Sequence, residues 1–268
     1  RGATAVVDGG WGWGMVAMML ATETAIELAA EHGVAAVAVR RSNHIGRVAP
    51  YVIKIAEAGM VGVAVTNANP AVVPYGGKGR VFGTNPIAWA APRGEGRRPV
   101  VHDIATAAVA EGKLRVARAK GEAVVPGLII DGDGRPTVDP EDFYGGGALL
   151  PFGGHKGSGL SVLVQLLGRG LAGADPENLA AHRGGNGPVV LALDVGFFGP
   201  PAAFAAEADA LCVEIQSTQP APEFDEVLLP GEPEARMRER LLAEGVPIAE
   251  RTWEDLLALA TEKQVAVP

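Results

Sequence analysis

Apolar residues fall along this chain in two alternating rhythms. Short runs at 3–8, 34–39, 60–66, 87–91 and 100–104 have the length and the Val, Ala and Ile content of strands. Between them, 15–32 and 48–58 carry apolar residues at helical spacing, the first stopped by Gly33. The order strand, helix, strand, helix, strand predicts an α/β fold. Residues 105–120 are alanine-rich and predict a helix with Thr106 as a candidate N-cap, and 158–171 predict a strongly apolar helix. The segments 189–195 and 210–215 read as a late pair of strands, and 232–244 and 253–263 as amphipathic helices. Residues 131–137, Asp-Gly-Asp-Gly-Arg-Pro-Thr, are turn chemistry, and the polar stretch 173–188 reads as a loop. The expected organisation is an α/β body over 3–152, joined by strands from 186–216, and a helical lobe with C-terminal helices over 153–268.

Composition narrows the function. A chain of 268 residues with 48% hydrophobic content can bury a large core. A net charge of −8 argues against a nucleic-acid surface, since phosphate binding needs a basic field. The lone Cys212 lies in Ala-Leu-Cys-Val-Glu-Ile, read as a strand with a buried, inert thiol. One cysteine permits neither an intrachain disulfide nor a multi-cysteine metal site, and a cytoplasmic location is expected. No signal peptide is visible. The longest uncharged stretch, 58–77, contains Asn67, Asn69, Pro70 and Pro74, so no membrane span is expected.

The usual nucleotide and hydrolase motifs are missing or misplaced. The one G-x-G-x-x-G match, Gly168 to Gly173, closes an apolar helix instead of opening one after a strand, and reads as a helix end. The five histidines are scattered, so no metal site is expected.

Three segments could carry chemistry. Arg41-Ser-Asn-His-Ile-Gly-Arg47 follows a buried strand, and ligands of α/β sheets bind at the strands' carboxyl ends. His44 could move a proton near neutral pH, and Arg41 and Arg47 could hold a carboxylate; a plain polar loop is the competing reading. Gly153-Gly-His-Lys-Gly-Ser-Gly159 leads into the apolar helix, where free N–H groups, the helix dipole and Lys156 suit a pyrophosphate. An ordinary glycine loop is the alternative there. Gly83-Thr-Asn-Pro86 precedes Val100-Val-His-Asp-Ile-Ala-Thr106, in which Asp103 could accept from a ribose or fix a loop. Asn85 reads as structural.

Together, Ser42-Asn-His-Ile-Gly46, Gly83-Thr-Asn-Pro86, Asp103-Ile-Ala-Thr106, Asp131 to Pro140, Gly154-His-Lys-Gly157 and Leu229-Pro-Gly-Glu232 resemble the malate/L-lactate dehydrogenase family of NAD(P)-dependent oxidoreductases. The resemblance implies an α/β fold with a mixed sheet, distinct from the Rossmann type, plus a helical lobe. It also implies a homodimer and hydride transfer between NAD or NADP and a small anionic 2-hydroxy or 2-keto acid. By the same resemblance His44 is the active-site proton carrier. Val101, His102, Asp103, Ile104, Ala105 and Thr106 match one cofactor-contacting segment, His155 and Lys156 a second, and Gly231, Glu232 and Pro233 a third. The acidic residue of the third segment is Glu232 or Glu234. Arg47 is the candidate for the substrate carboxylate. The family's N-terminal Ser-His-Gly motif, whose histidine is the usual proton donor, does not occur in this sequence. That leaves a fragment and an altered function as open readings, with weak cofactor binding and little catalysis expected of the chain as it stands. A cyclic imino-acid reductase on the same scaffold, a cofactor-binding remnant and a phosphate-ester binder are the alternatives.

Overall fold

The computed structural model describes residues 2–172 and 185–266. Most of the loop expected over 173–188, with His182, lies outside the described residues. Two compact units divide the chain, Arg1–Leu229 and Pro230–Pro268.

The first unit is built on strands β1 (Thr4–Asp8), β2 (Val34–Arg40), β3 (Met60–Val65), β4 (Ile87–Ala91) and β5 (Val100–Ile104). Helices α1 (Gly14–His32) and α2 (Ala49–Glu57) connect the first three. Then come α3 (Glu111–Lys120), β6 (Ile129–Ile130), β7 (Pro136–Thr137), α4 (Pro140–Tyr144) and β8 (Ala148–Leu149). Helix α5 (His155–Gln165) runs on into a π-helical turn at Leu166–Leu171, and β9 (Val189–Asp194) and α6 (Pro201–Ser217) complete the unit.

The main sheet has six strands in the order β1-β2-β9-β3-β4-β5. β1 and β2 are parallel, whereas β9 runs antiparallel to both β2 and β3, and β4 antiparallel to β3 and β5. A dinucleotide-binding Rossmann sheet keeps its strands parallel, so insertion of β9 between β2 and β3 sets this sheet apart. Within the G-x-G-x-x-G match, Gly168 to Leu171 lie on the π-helical turn, a helix end as expected.

One face of the sheet carries Val37, Val39, Ala64, Ala88, Ala90, Val190 and Ala192, all buried under α1 and α2. α1 faces it with Ala17, Ala21, Ala25 and Ala29, one every four residues, and these small side chains let the helix axis come close. Gly62 does the same for α2, since a Cβ there would be 2.9 Å from Ile55 Cβ. A second core joins Val72, Phe82, Leu114, Ile129, Phe143 and Leu149 around the small β7-β6-β8 sheet.

Two sequence expectations need correction. Residues 210–215 are helix, not strand, and lie within α6. Phe204, Ala208, Cys212 and Ile215 are its inward positions, at spacings of three and four, and its alanine content favours a helix. Cys212 is buried there, at 2% exposure. The helix expected from residue 105 starts at Glu111 with Ala110 as N-cap, because Thr106 is drawn into the core.

The second unit contains α7 (Glu232–Glu244) and α8 (Glu250–Glu262). Gly231, in the left-handed region at φ 84°, is the N-cap of α7, and Glu232, Pro233 and Glu234 form its first turn. Acidic side chains there complement the helix dipole.

Candidate functional site

Strand register gathers the sequence motifs on one edge of the sheet. Asp8 pairs with Arg40, Ala38 and Val65 with Val189, Val65 with Ile87, and Ile87 with Ile104. The carboxyl ends of β1, β2, β3 and β5 and the starts of β4 and β9 therefore share this edge.

The loop after β2 carries His44 with its side chain exposed, on a backbone pinned from several sides. Ser42 forms an isolated bridge with Asn186, and the Asn43 amide donates to the carbonyls of Trp11 (2.6 Å) and Gly12 (3.0 Å). Ile45 is buried, and the Tyr51 hydroxyl donates to its carbonyl at 2.5 Å. Burial raises the Tyr51 pKa above the usual phenol value, so the hydroxyl stays a donor. Gly14 at the start of α1 sits directly against this loop: a Cβ there would collide with the carbonyls of Asn43 and His44.

Of the two arginines that bracket the loop, Arg41 is committed elsewhere. Its Nε and Nη2 both donate to Asp8 at 2.7 Å, and Arg40 pairs with the same carboxylate. The Arg41 hydrogen bonds, with the Gly10 N–H, lower the Asp8 pKa to about 2. Arg47 remains exposed beside α2.

Asp103 reaches from the end of β5 to the start of α2, where the Ala49 N–H donates to its Oδ2 at 2.7 Å. The carboxylate thereby caps a helix from another strand. Burial raises its pKa, partly offset by the Ala49 N–H, Arg47, the Val48 N–H and His102. Of the two roles foreseen for Asp103, this contact fills the loop-fixing one.

Thr106 is fully buried and donates to the carbonyls of Thr84 and Asn85 at 3.1 and 3.0 Å. It accepts from the Ser161 hydroxyl of α5 at 2.8 Å. Asn85, also fully buried and left-handed at φ 38°, accepts from Ala68 N and donates to Ser161 O and Gln165 Oε1, each at 3.1 Å. The structural reading of Asn85 holds. At the start of α5, Gly157 packs so closely that a Cβ would lie 2.8 Å from Thr106 O, while His155 and Lys156 are exposed. The helix begins three residues earlier than its apolar run suggests, so His155 and Lys156 occupy its first turn.

Asp103 thus ties in the helix that follows His44, and Thr106 ties in the helix that begins at His155. Three residues of chain span at most about 11 Å, so the two anchors Asp103 and Thr106 lie close together at one corner of the edge. Gly231, Glu232 and Pro233 belong to the second unit.

Sequence reasoning missed the supporting contacts. Asn67 accepts from Gly187 N at 2.8 Å, and Gly168 lies so near that a Cβ would be 2.8 Å from both Asn67 Oδ1 and Gly187 O. The only available signal was the presence of glycines, and their partners are remote in sequence. Among the described residues no group of three or more His, Cys, Asp or Glu could hold a metal ion, and no helix is long and apolar enough to cross a membrane.

The fold is a mixed, non-Rossmann α/β sheet with polar loops and helix starts along one edge. The malate/L-lactate dehydrogenase family model matches residues 1–257. An L-lactate dehydrogenase of Cupriavidus necator is 40% identical over 100% of this chain and 79% of its own length. The sulfolactate dehydrogenase structure from Methanocaldococcus jannaschii superposes with a TM-score of 0.87 at 35% identity, covering 99% of this chain and 77% of that one. A delta1-piperideine-2-carboxylate reductase from Pseudomonas syringae gives a TM-score of 0.82 at 35% identity, covering 97% and 78%. The chain belongs to the malate/L-lactate dehydrogenase family.

Proposed function

We propose that the protein transfers a hydride between NAD(P)(H) and carbon 2 of a small 2-hydroxy or 2-keto acid. The observation that carries this reading is the exposed His44 on a pinned loop, sharing an edge with the Lys156-bearing start of α5. The donor set fits an anionic dinucleotide. Gly153 and Gly154 are left-handed at φ 55° and 63°, and the exposed Lys156 adds a full charge to the positive end of a helix. A bound nicotinamide supplies or accepts the hydride.

The chain's own residues do the rest. In reduction the His44 imidazolium gives a proton to the C2 carbonyl oxygen as it becomes a hydroxyl; in oxidation the neutral ring takes it back. Arg47 holds the substrate carboxylate through paired donors. Lys156 and the first turn of α5 hold the cofactor's phosphates, flanked by the Val101–Thr106 segment. The α/β body over 3–152 is the cofactor-binding domain, and the protein works as a cytoplasmic homodimer.

A second reading, reduction of cyclic imino acids, draws support from the similarity to the Pseudomonas syringae reductase. The test is steady-state oxidation of NADH and NADPH with a panel of 2-keto acids beside a cyclic imino acid. Turnover of keto acids is expected, with Lys156→Ala raising the KM of the cofactor about tenfold, the loss of one charged contact. Turnover of the imino acid alone favours the second reading, and cofactor binding without turnover of either removes both.

A further inference from the structure

Trp11 holds a backbone conformation that a bulky side chain rarely takes. Its φ is 60°, in the left-handed region, and such outliers persist only where the surroundings over-determine them. Here the Trp11 N–H donates to Arg41 O at 2.7 Å, and its carbonyl accepts from the Asn43 amide at 2.6 Å. The outer ring of the indole covers Gly185, where a Cβ would lie 2.9 and 3.0 Å from Cζ3 and Cη2. Trp11 is nevertheless 36% exposed. It stands between the end of β1, the loop carrying His44 and the segment entering β9, on the edge already described. The nearby cations Arg40 and Arg41 are both paired with Asp8.

We infer that Trp11 is the specificity-determining wall for the substrate's C3 side, selecting 2-keto acids with a short, uncharged substituent over dicarboxylates. The inference rests on the proposed hydride-transfer reading. The π-face of an indole is electronegative, so it attracts an alkyl group by burial and repels a carboxylate. Arg40 and Arg41 share the Asp8 carboxylate, so a second substrate carboxylate at this wall would lose water in exchange for guanidinium groups already engaged. A left-handed tryptophan stapled to the His44 loop keeps that wall in one place relative to the proton carrier.

The test uses the protein expressed from its complete reading frame, with kcat/KM measured for pyruvate, oxaloacetate and 4-methyl-2-oxopentanoate. Pyruvate is expected to exceed oxaloacetate by about tenfold or more, the usual scale of pocket discrimination. Trp11→Gly, which accepts the left-handed backbone without strain, should raise the ratio of 4-methyl-2-oxopentanoate to pyruvate about tenfold. The NADH dissociation constant, read by fluorescence titration, should move less than about twofold, which separates a lost substrate wall from general disruption. Trp11→Phe should keep the wild-type order, and Gly185→Ala, which pushes the indole aside, should shift the ratio in the same direction as Trp11→Gly. Unchanged ratios in folded Trp11→Gly and Gly185→Ala proteins overturn the inference, as does a wild-type preference for oxaloacetate, which needs no variant. Failure of every keto acid to support NADH or NADPH oxidation overturns both this inference and the reading beneath it.

Discussion

Gly14→Ala should damage turnover although residue 14 carries no chemistry. The added Cβ would lie 2.6 Å from His44 O, 2.7 Å from Asn43 C and nearer still to Asn43 O, and all of these are backbone atoms. Real Cβ contacts do not fall below 3.0 Å, so the His44 carbonyl must retreat by about 0.4 Å and that of Asn43 by more. The loop has little freedom to absorb this, because Asn43 is bonded to Trp11 and Gly12, and Ile45 is held by Tyr51. Functional groups need placement within about 0.5 Å, and a shift of about 1 Å can cost a hundredfold. We therefore expect kcat to fall roughly ten- to a hundredfold, together with about 1–3 kcal/mol of stability from overpacking. Steady-state kcat and thermal unfolding of the same preparation give both numbers. A Gly14→Ala enzyme within about twofold of the wild-type kcat would refute the claim that this contact positions His44.

Other outcomes follow from the same geometry. His44→Ala should reduce kcat by about a hundredfold or more, the scale of acid–base catalysis; near-wild-type turnover removes His44 from the mechanism. Asp103 has a folded pKa above its ordinary 3.8, so its contribution to stability is present below pH 3.8 and declines as pH rises through the folded value. Asp103→Asn, which keeps an acceptor for the Ala49 N–H, should accordingly gain Tm relative to wild type as pH rises from below 3.8 to neutral, and a flat or opposite trend contradicts the assignment. Asp8 behaves in the opposite sense, its folded pKa being lowered to about 2 by Arg41 and the Gly10 N–H. The Tm advantage of wild type over Asp8→Asn should be complete above pH 3.8 and fade as pH falls towards about 2; persistence of the full advantage at pH 2 counts against the ion pair. Asn85→Ala should destabilise by roughly 1–3 kcal/mol for the abandoned Ala68 N–H alone, measured by urea unfolding, and no loss would show that Asn85 is not the tie described.

Much of the architecture was determined by local pattern. The strands and helices up to β5 could be read from the sequence because buried strands are short apolar runs and α1 repeats its alanines at helical spacing. The Ser-Asn-His-Ile-Gly and Gly-His-Lys-Gly segments were legible as candidate chemistry because the first follows a strand and the second leads into a helix. Residues 210–215 misled because a short apolar alternation is shared by a strand and by one side of a helix, and only packing at spacings of three and four decides. Thr106 has cap chemistry, yet a hydrogen-bonding partner 55 residues away, Ser161, made it a core hub. Tertiary structure alone decided that β9 enters between β2 and β3 antiparallel to both, that Asp8 neutralises Arg41, and that Gly14 and Trp11 clamp the loop of His44. Periodicity reports which side of an element is apolar, whereas pairing between distant segments depends on the mutual fit of surfaces that exist only once the chain has collapsed.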